Sequence, residues 1–221
     1  MNTLQARIGY QFKDTELLKE ALTHPSFVPG SSRHYERLEL LGDSVVNLLV
    51  SEYLLANYRD EKEGDIAKRR AALVCRDSLA SIARLLELGQ VIFFSDSEAQ
   101  LGGRDNPANL ENAFEALAGA IYMDGGLEAA RTVLLPYFVT LSSTMLAPPR
   151  DAKTTLQEWL QASSKSLPNY VVLTQDGPPH APVFTVEVQV GEDVRATGTG
   201  ATKRAAEQEA AKEVLIKLGV Q

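Results

Sequence analysis

Carboxylate and amide side chains recur at helical spacing in two apolar stretches of this chain. Glu36, Glu39 and Asp43 lie in YERLELLGDSVVNLLV, and Asn112 and Glu115 lie in NLENAFEALAGAIYMD. Residues three or four positions apart share one face of a helix, so each stretch presents two or more oxygen-bearing side chains together. Such oxygens suit hard divalent cations. The spacing therefore predicts two helices that pack together and hold a metal ion between them.

A solvated acidic face is the alternative for either stretch by itself, because charged side chains are usually exposed. Two such stretches in apolar sequence favour the metal site, since carboxylates in apolar surroundings need a partner or a proton. Gly42 supports the packing, because a glycine beside Asp43 leaves room for a second helix. Together the helices would offer four side chains to one site: Glu39, Asp43, Asn112 and Glu115.

Length and composition are those of a globular protein. The 221 residues are 44% hydrophobic and 23% charged, which suits one or two domains. Residues 1–10 lack the apolar core of a secretory signal, and no stretch is apolar for long enough to span a bilayer. We therefore expect a cytoplasmic protein. The single cysteine, Cys75, excludes an internal disulfide, and its apolar neighbours predict burial.

The net charge of −7 argues against a general nucleic-acid-binding protein, which is usually basic. The charge is unevenly distributed, however. The first 152 residues carry 15 Lys and Arg against 21 Asp and Glu, whereas the rest carry seven against eight. The excess negative charge thus lies with the carboxylate clusters, where a bound metal ion would offset part of it.

Apolar spacing of three and four predicts that the first part of the chain is all helical. Breaks at Pro25, Gly64, Gly89 and the pair Gly125 and Gly126 separate the helices. The predicted helices cover 14–22, 35–57, 65–74, 78–88, 109–123 and 127–145. We assign residues 1–146 to this domain and residues 147–152, which begin APPR, to a linker.

The pattern changes after the linker. A helix is predicted over 153–162, strands over 170–173, 184–190 and 194–199, and a last helix over 202–218. The order α-β-β-β-α predicts a small α+β domain over 153–221, with two helices covering one face of an antiparallel sheet. The fold class is therefore multidomain, with an all-α domain followed by an α+β domain.

Polar and basic residues of the second domain occur at three places that would lie along one side. A helix N-terminus with adjacent basic residues favours phosphate, and polar side chains suit the 2′-hydroxyls of A-form RNA. For the two basic residues alone, a solvated helix start is an equal alternative. The predicted RNA-binding residues are Thr154, Gln157, Glu158, His180, Lys203 and Arg204.

This second domain resembles the double-stranded RNA-binding domain. KTTLQEWLQ, GPPHAPVFTVEV and GTGATKRAAEQEAAKEVL follow the order and loop lengths of that family over residues 153–219. The resemblance implies 2′-hydroxyl contacts from Gln157 and Glu158, a minor-groove contact near His180, and phosphate contacts from Lys203 and Arg204. It does not imply recognition of a base sequence.

The helical domain resembles the catalytic domain of the ribonuclease III family over residues 3–146. The matching segments are ALTHPSF, YERLELLGDSVV and FEALAGAIYMDGG. The resemblance implies Mg²⁺ as cofactor, with Mn²⁺ as a substitute, and catalytic roles for the ligands Asp43 and Glu115. It also implies that Glu36 and Glu63 lie near the RNA and the metal, and that Leu40 inserts into the partner subunit of a homodimer.

The implied reaction is hydrolysis of double-stranded RNA to 5′-phosphate and 3′-hydroxyl ends with a short 3′ overhang. Implied substrates are ribosomal RNA precursors, messenger RNA and other structured transcripts. One departure is Asn112, where the family usually has Asp; its amide oxygen can coordinate a cation but carries no charge and cannot act as a base. His24 in LTHPSF is interpreted as structural or capping.

Two alternatives remain from the sequence. The first is a non-cleaving homodimer that binds double-stranded RNA, in which Asn112 has disabled the metal site. The second is a helical metal-dependent phosphohydrolase that acts on small nucleotides. Retention of three carboxylates, Glu39, Asp43 and Glu115, argues against the first, and the RNA-binding domain argues against the second.

Overall fold

The computed structural model describes residues 1–145, 147–148, 151–178, 182–191 and 194–220. The chain divides into two compact units, Met1–Pro149 and Arg150–Gln221, and each has its own hydrophobic core. Within the described residues, no helix combines the length and the apolar composition that are needed to cross a lipid bilayer.

In the described residues of the first unit, the regular structure is helical apart from an isolated β-bridge between Thr23 and Phe93. A short 3₁₀ helix, Pro25–Phe27, follows the second α-helix. The α-helices are α1 (Asn2–Ile8), α2 (Thr15–Ala21), α3 (Glu36–Asn57), α4 (Glu63–Leu73), α5 (Arg76–Leu85), α6 (Leu88–Val91), α7 (Asp96–Gln100) and α8 (Pro107–Ser143).

The two acidic stretches form α3 and α8, and these helices pack backbone to backbone. A Cβ atom added at Gly42 would overlap the carbonyl oxygen of Glu115, and one added at Gly119 would overlap the carbonyl oxygen of Leu38. The two glycines therefore allow an approach that any larger residue would prevent. The predicted close packing at Gly42 is confirmed.

A kink divides α8 near its middle. Gly126 has φ 78° and ψ −175°, which is outside the helical region, so the helix changes direction there. Asp124, just before the kink, accepts hydrogen bonds from the Tyr10 hydroxyl (2.7 Å) and from the backbone N–H groups of Lys13 (3.0 Å) and Asp14 (2.8 Å). These bonds attach the segment between α1 and α2 to α8.

The prediction of an all-helical first domain is confirmed, although some helices differ from the predicted ones. The predicted helices 109–123 and 127–145 form one kinked helix, and α1, α6 and α7 were not predicted. The predicted burial of Cys75 is wrong. This residue is the N-cap of α5 and is exposed, because a helix junction brings it to the surface despite its apolar neighbours.

The second unit contains helix α9 (Ala152–Ala162), strands β1 (Asn169–Asp176), β2 (Val183–Val190) and β3 (Val194–Gly200), and helix α10 (Lys203–Lys217). The strands form an antiparallel sheet in the order β1-β2-β3, with an irregularity in β1 between Val172 and Thr174. This confirms the predicted α-β-β-β-α order and the α+β class.

Both helices of the second unit cover one face of its sheet. Alternate residues of β2 point into the core, as the period of two predicts: Val186, Val188 and Val190. Ala206 and Ala210 of α10 are fully buried, and a Cβ atom at Gly198 of β3 would overlap the backbone of both residues. Small residues on both sides therefore let α10 lie directly on β3.

Candidate functional site

Side chains from α3 and α8 line an open pocket of about 480 Å³ in the first unit. The close backbone contact at Gly42 sets the separation of the two helices beside it. The four predicted metal ligands thus meet in one pocket, and their role as ligands stays a prediction. The lining residues are Glu36, Glu39, Leu40, Asp43, Asn112 and Glu115.

Negative charge accumulates in this pocket. Burial raises the pKa of Glu115 to about 8, and the nearby carboxylates of Asp43, Glu111 and Glu39 add to the rise. Burial likewise raises the pKa of Glu39, with further contributions from Glu36, Glu111 and Asp43. Each carboxylate therefore makes ionisation of its neighbours less favourable, and a cation would relieve this repulsion.

The oxygen atoms of the pocket suit a divalent cation in type but need rearrangement. In the described part of the chain, Glu39 Oε2 is buried and has no hydrogen-bond partner, although a buried carboxylate oxygen normally has one. Asp43 is exposed, and its Oδ1 accepts a hydrogen bond from Asn47 Nδ2 (2.8 Å).

As placed, no three His, Cys, Asp or Glu side chains within the described ranges are arranged to hold a metal ion. That group of residue types does not include asparagine, and the amide oxygen of Asn112 is a further possible ligand. The donor set fits Mg²⁺ or Mn²⁺ in chemistry, and binding requires the side chains of Glu39, Asp43 and Glu115 to turn toward one another.

Asn112 has a polar neighbour beneath the pocket. Tyr35, the N-cap of α3, is only 2% exposed, and burial raises its pKa to about 12. A side-chain hydrogen bond with Asn112 opposes that rise. The side chain of Asn112 on α8 therefore lies near that of Tyr35 at the start of α3.

Two residues discussed from the sequence lie outside the pocket. Glu63 is the first residue of α4, is exposed, and is not among the described residues that line it. His24 is the N-cap of the 3₁₀ helix, and its Nδ1 accepts a hydrogen bond from the backbone N–H of Ser26 (3.1 Å). The capping interpretation of His24 is confirmed.

Sequence reasoning missed Glu111, which lies beside the pocket. Its Oε2 accepts a hydrogen bond from Arg76 Nε at 2.7 Å, and its charge acts on both Glu39 and Glu115. The available signal was its spacing, because Glu111 is four residues before Glu115 and so shares its helix face.

The predicted RNA-binding residues of the second unit lie on α9 and at the start of α10. Thr154, Gln157 and Glu158 are exposed at positions that share one face of α9. Lys203 and Arg204 are exposed in the first turn of α10, where Thr202 caps the helix by accepting a hydrogen bond from the N–H of Ala205 (3.1 Å).

Side-chain contacts hold the N-terminal turn of α9 against α10. Gln208 Nε2 donates to Asp151 Oδ2 (2.6 Å), and Lys153 Nζ pairs with Glu207 Oε2 (2.5 Å). Arg204 Nη2 lies 3.7 Å from Asp151 Oδ2. Five of the six predicted RNA-binding residues therefore lie on two helices joined at one end, and the sixth, His180, lies outside the described residues.

Asp151 connects these contacts and also caps α9, because its Oδ1 accepts the backbone N–H of Thr154 (2.9 Å). Burial alone would raise its pKa. Hydrogen bonds from Gln208 and Thr154, with the charge of Arg204, hold the pKa of Asp151 below its usual value. The carboxylate therefore stays ionised and keeps the two helix starts together.

Comparison with known proteins gives two matching family models. One is described as Ribonuclease-III-like and matches residues 14–141, and the other is described as a double-stranded RNA binding motif and matches residues 152–218. The first covers the helices that form the pocket, and the second covers α9, the sheet and α10.

Curated relatives match nearly the whole chain. Ribonuclease 3 of Anaplasma marginale (strain Florida) is 48% identical over 211 residues, which are 95% of this chain and 91% of the relative. Ribonuclease 3 of Ehrlichia ruminantium (strain Gardel) is 46% identical over 219 residues, 98% of this chain and 96% of the relative.

A solved structure matches the helical unit. The nuclease domain of ribonuclease III from Campylobacter jejuni has a TM-score of 0.61 and is 42% identical, and the match covers 64% of this chain and 95% of that domain. A second structure of that domain has a TM-score of 0.60 and is 43% identical. It was reported for structural flexibility in a region of that protein involved in dimer formation. Its match covers 62% of this chain and 95% of that one.

Proposed function

This chain belongs to the ribonuclease III family, and we propose that it is an endoribonuclease that hydrolyses double-stranded RNA by divalent-metal catalysis. The observation that carries the proposal is the pocket between α3 and α8, which four carboxylates and one amide line and in which one buried carboxylate oxygen has no partner among the described residues. The double-stranded RNA-binding domain in the same chain supplies the substrate class.

Glu39, Asp43, Asn112 and Glu115 would hold Mg²⁺, or Mn²⁺ in its place. The chemistry that such an ion supplies is activation of a water nucleophile and stabilisation of charge on the phosphate oxygens. The chain's own residues do the rest. The contact between α3 and α8 fixes the spacing of the ligands, and ionised Asp43 and Glu115 serve as the catalytic carboxylates.

The second unit would bind the duplex through its two joined helices. Gln157 and Glu158, with Thr154, offer polar side chains to 2′-hydroxyls in a minor groove, and Lys203 and Arg204 offer positive charge to phosphates. His180 is proposed to contact the neighbouring minor groove. Because these contacts are made to the RNA backbone and depend on the shape of the duplex, we propose that the domain binds duplex RNA without requiring a particular base sequence.

Cleavage of both strands needs two catalytic sites, so we propose a homodimer. Leu40 at the pocket edge is 76% exposed, and α3 also exposes Leu48 and Leu55. Apolar surface of this kind marks an interface, and Leu40 would insert into the partner subunit. Glu36 and Glu63 would then lie near the RNA. The proposed products carry 5′-phosphates, 3′-hydroxyls and short 3′ overhangs.

The proposed cellular role is processing of ribosomal RNA precursors, messenger RNA and other structured transcripts in the cytoplasm. It follows from the family and the substrate class. Sequencing RNA ends after depletion of the protein would test it, since unprocessed duplex precursors should accumulate.

Cleavage of a long RNA duplex by the purified protein tests the proposal directly. We expect cleavage with Mg²⁺ or Mn²⁺, none with chelator, and none after Glu115→Ala. The matched control is Glu128→Ala, which removes a glutamate from the same helix whose side chain is 82% exposed, and it should leave cleavage intact. Equal loss in both variants would argue against a specific role for Glu115.

Asn112 favours a second candidate, a homodimer that binds double-stranded RNA without cutting it. A neutral amide lowers the charge of the site and cannot accept a proton, so metal binding is weakened. In this case the native chain would bind duplex RNA but cut it in neither Mg²⁺ nor Mn²⁺, and Asn112→Asp would restore cleavage. Cleavage by the native chain would exclude this candidate.

A further inference from the structure

We propose that Glu111 supplies the pocket with the negative charge that Asn112 lacks, and that its pairing with Arg76 limits how much of that charge reaches the metal ion. The inference rests on the proposed metal site and concerns its affinity. It assigns Glu111 no direct contact with substrate and no catalytic step.

The position of Glu111 places its carboxylate at the edge of the site. It precedes Asn112 by one residue and Glu115 by four, so it lies on the same helix face as Glu115, one turn earlier. Its side chain is 18% exposed, which is low for an acidic residue on a helix surface. Glu111 is therefore a partly desolvated charge beside the proposed ligands.

The charge of Glu111 reaches ligands on both helices. Alongside burial, it helps to raise the pKa of Glu115 on α8 and of Glu39 on α3. By geometry, the Glu111 carboxylate lies one helical turn from Glu115, close enough to attract a cation that Glu115 binds. The charge of Glu111 is thus added to that of the carboxylates that line the pocket.

Arg76 forms an ion pair with this carboxylate. Arg76 is the first residue of α5, and its Nε donates to Glu111 Oε2 at 2.7 Å, while its own side chain is 63% exposed. An ion pair that is open to solvent on one side is weak and easily reorganised. Arg76 therefore cancels part of the charge of Glu111 and holds its carboxylate at the edge of the pocket.

The two partners should act on metal affinity in opposite directions. Glu111→Gln removes a negative charge and leaves Arg76 unpaired beside the site, so Mn²⁺ binding should weaken by about threefold or more. Arg76→Gln frees the carboxylate, so Mn²⁺ should bind more tightly. A purely structural ion pair predicts a loss of stability in both variants and no such opposition.

The experiment is a titration of the full chain with Mn²⁺ in the absence of RNA, in which electron paramagnetic resonance measures the free ion. Besides the two single variants, Glu111→Gln combined with Asn112→Asp should return the affinity to about its native value, because one charge replaces the other. The matched control is Asp105→Asn. Asp105 Oδ1 also pairs with an arginine of α5, at 3.0 Å from Arg84 Nε, and its loss should leave the Mn²⁺ affinity unchanged.

The outcomes separate this inference from the proposed function. Native binding that Glu115→Ala abolishes and Glu111→Gln leaves unchanged would overturn the role of Glu111 and keep the metal site. No Mn²⁺ binding by the native chain would overturn both. If Glu111→Gln unfolds, the tighter binding expected of Arg76→Gln still tests the inference, and unchanged or weaker binding there contradicts it.

Discussion

Glu115 is a residue whose ionisation should respond to metal. Burial, with the charges of Asp43, Glu111 and Glu39, raises its pKa to about 8, against an ordinary value of 4.5. Near neutral pH and without a cation, the folded protein therefore retains a proton that the unfolded chain would release. Metal binding must displace this proton, so metal affinity should rise with pH through the neutral range.

The same shift predicts that the metal-free protein loses stability as pH rises. Between about pH 4.5 and 8 the unfolded chain binds fewer protons than the folded protein, so the free energy of unfolding falls across this window. Glu115→Gln should reduce this dependence and raise the free energy of unfolding by about 1–2 kcal/mol at pH 8, after allowance for solvent screening. Urea unfolding in chelator at pH 5 and pH 8 measures it.

Glu128→Gln is the control for that measurement, since its side chain is 82% exposed on the same helix. It should follow the native protein at both pH values. If native protein and Glu115→Gln show the same change between pH 5 and pH 8, the raised pKa of Glu115 is refuted.

Sequence reasoning at the residue scale located the donors but not their surroundings. The spacing of Glu39 and Asp43, and of Asn112 and Glu115, was sufficient to place each pair on one helix face. That the two faces meet was predicted from their apolar context and from Gly42. The proximity of Arg76 and Glu111 depends on where α5 packs, which local sequence does not specify. The exposure of Cys75 depends on a helix junction in the same way.

At the scale of elements, the contact between α3 and α8 supports the whole site. Gly42 and Gly119 each lie against the backbone of the other helix, so the two carboxylate-bearing faces meet without intervening side chains. This feature was predictable, because a glycine within an otherwise apolar helix costs stability and so indicates a close approach.

Gly42→Ala should therefore be strongly destabilising. Its Cβ would overlap the carbonyl oxygen of Glu115, and overpacking of this kind costs about 1–3 kcal/mol or more. The control is Gly64→Ala in α4, where the new Cβ would meet no described atom within 4 Å beyond its chain neighbours and its own helix backbone, and it should be neutral or slightly stabilising. Thermal unfolding of both variants makes the comparison, and equal effects would contradict the close packing.

The second unit shows a similar dependence between elements. The contacts of Asp151 and Lys153 with Gln208 and Glu207 hold the start of α9 against α10. The strand β2 was predictable from its alternating apolar residues, and the helix α10 from apolar residues spaced four apart. The short helices α6 and α7 were not, because helices of four or five residues form only through tertiary contacts.

Removing two basic residues from α10 should weaken RNA binding. Lys203→Ala with Arg204→Ala should lower the affinity for a duplex severalfold and reduce the salt dependence of binding, because two phosphate contacts are lost. The control is Arg195→Ala with Lys212→Ala, which removes the same charge elsewhere in the domain. Filter binding at several salt concentrations measures both, and equal losses would reject this surface.

At the scale of the whole molecule, exposed apolar side chains support the proposed homodimer. Leu40, Leu48 and Leu55 of α3 are 76%, 47% and 64% exposed, and Met123 of α8 is 58% exposed. Such residues would be unfavourable on a permanently free surface. A dimer could be proposed from the apolar character of α3, but its geometry could not, because one chain does not specify the orientation of the second.

Leu40→Glu should shift the protein toward the monomer. A charged side chain in an apolar interface is costly to bury without a partner, so dimer affinity should fall at least about tenfold. Leu101→Glu is the control, because Leu101 is 84% exposed in the loop before α8 and lies outside the exposed surface of α3. Sedimentation velocity over a range of concentrations distinguishes the variants, and an unchanged dimer in Leu40→Glu would contradict the proposed contact.

The backbone contact at Gly42 and Gly119 also sets a minimum distance between the two helices at the proposed metal site. Two main chains already in contact cannot approach further, so substitutions on either helix can only widen the gap between the ligands. A wider gap favours cations of larger radius over small ions that demand short, regular coordination. Mutational drift on these helices should therefore move ion selectivity in one direction, toward larger ions, before the fold itself is lost.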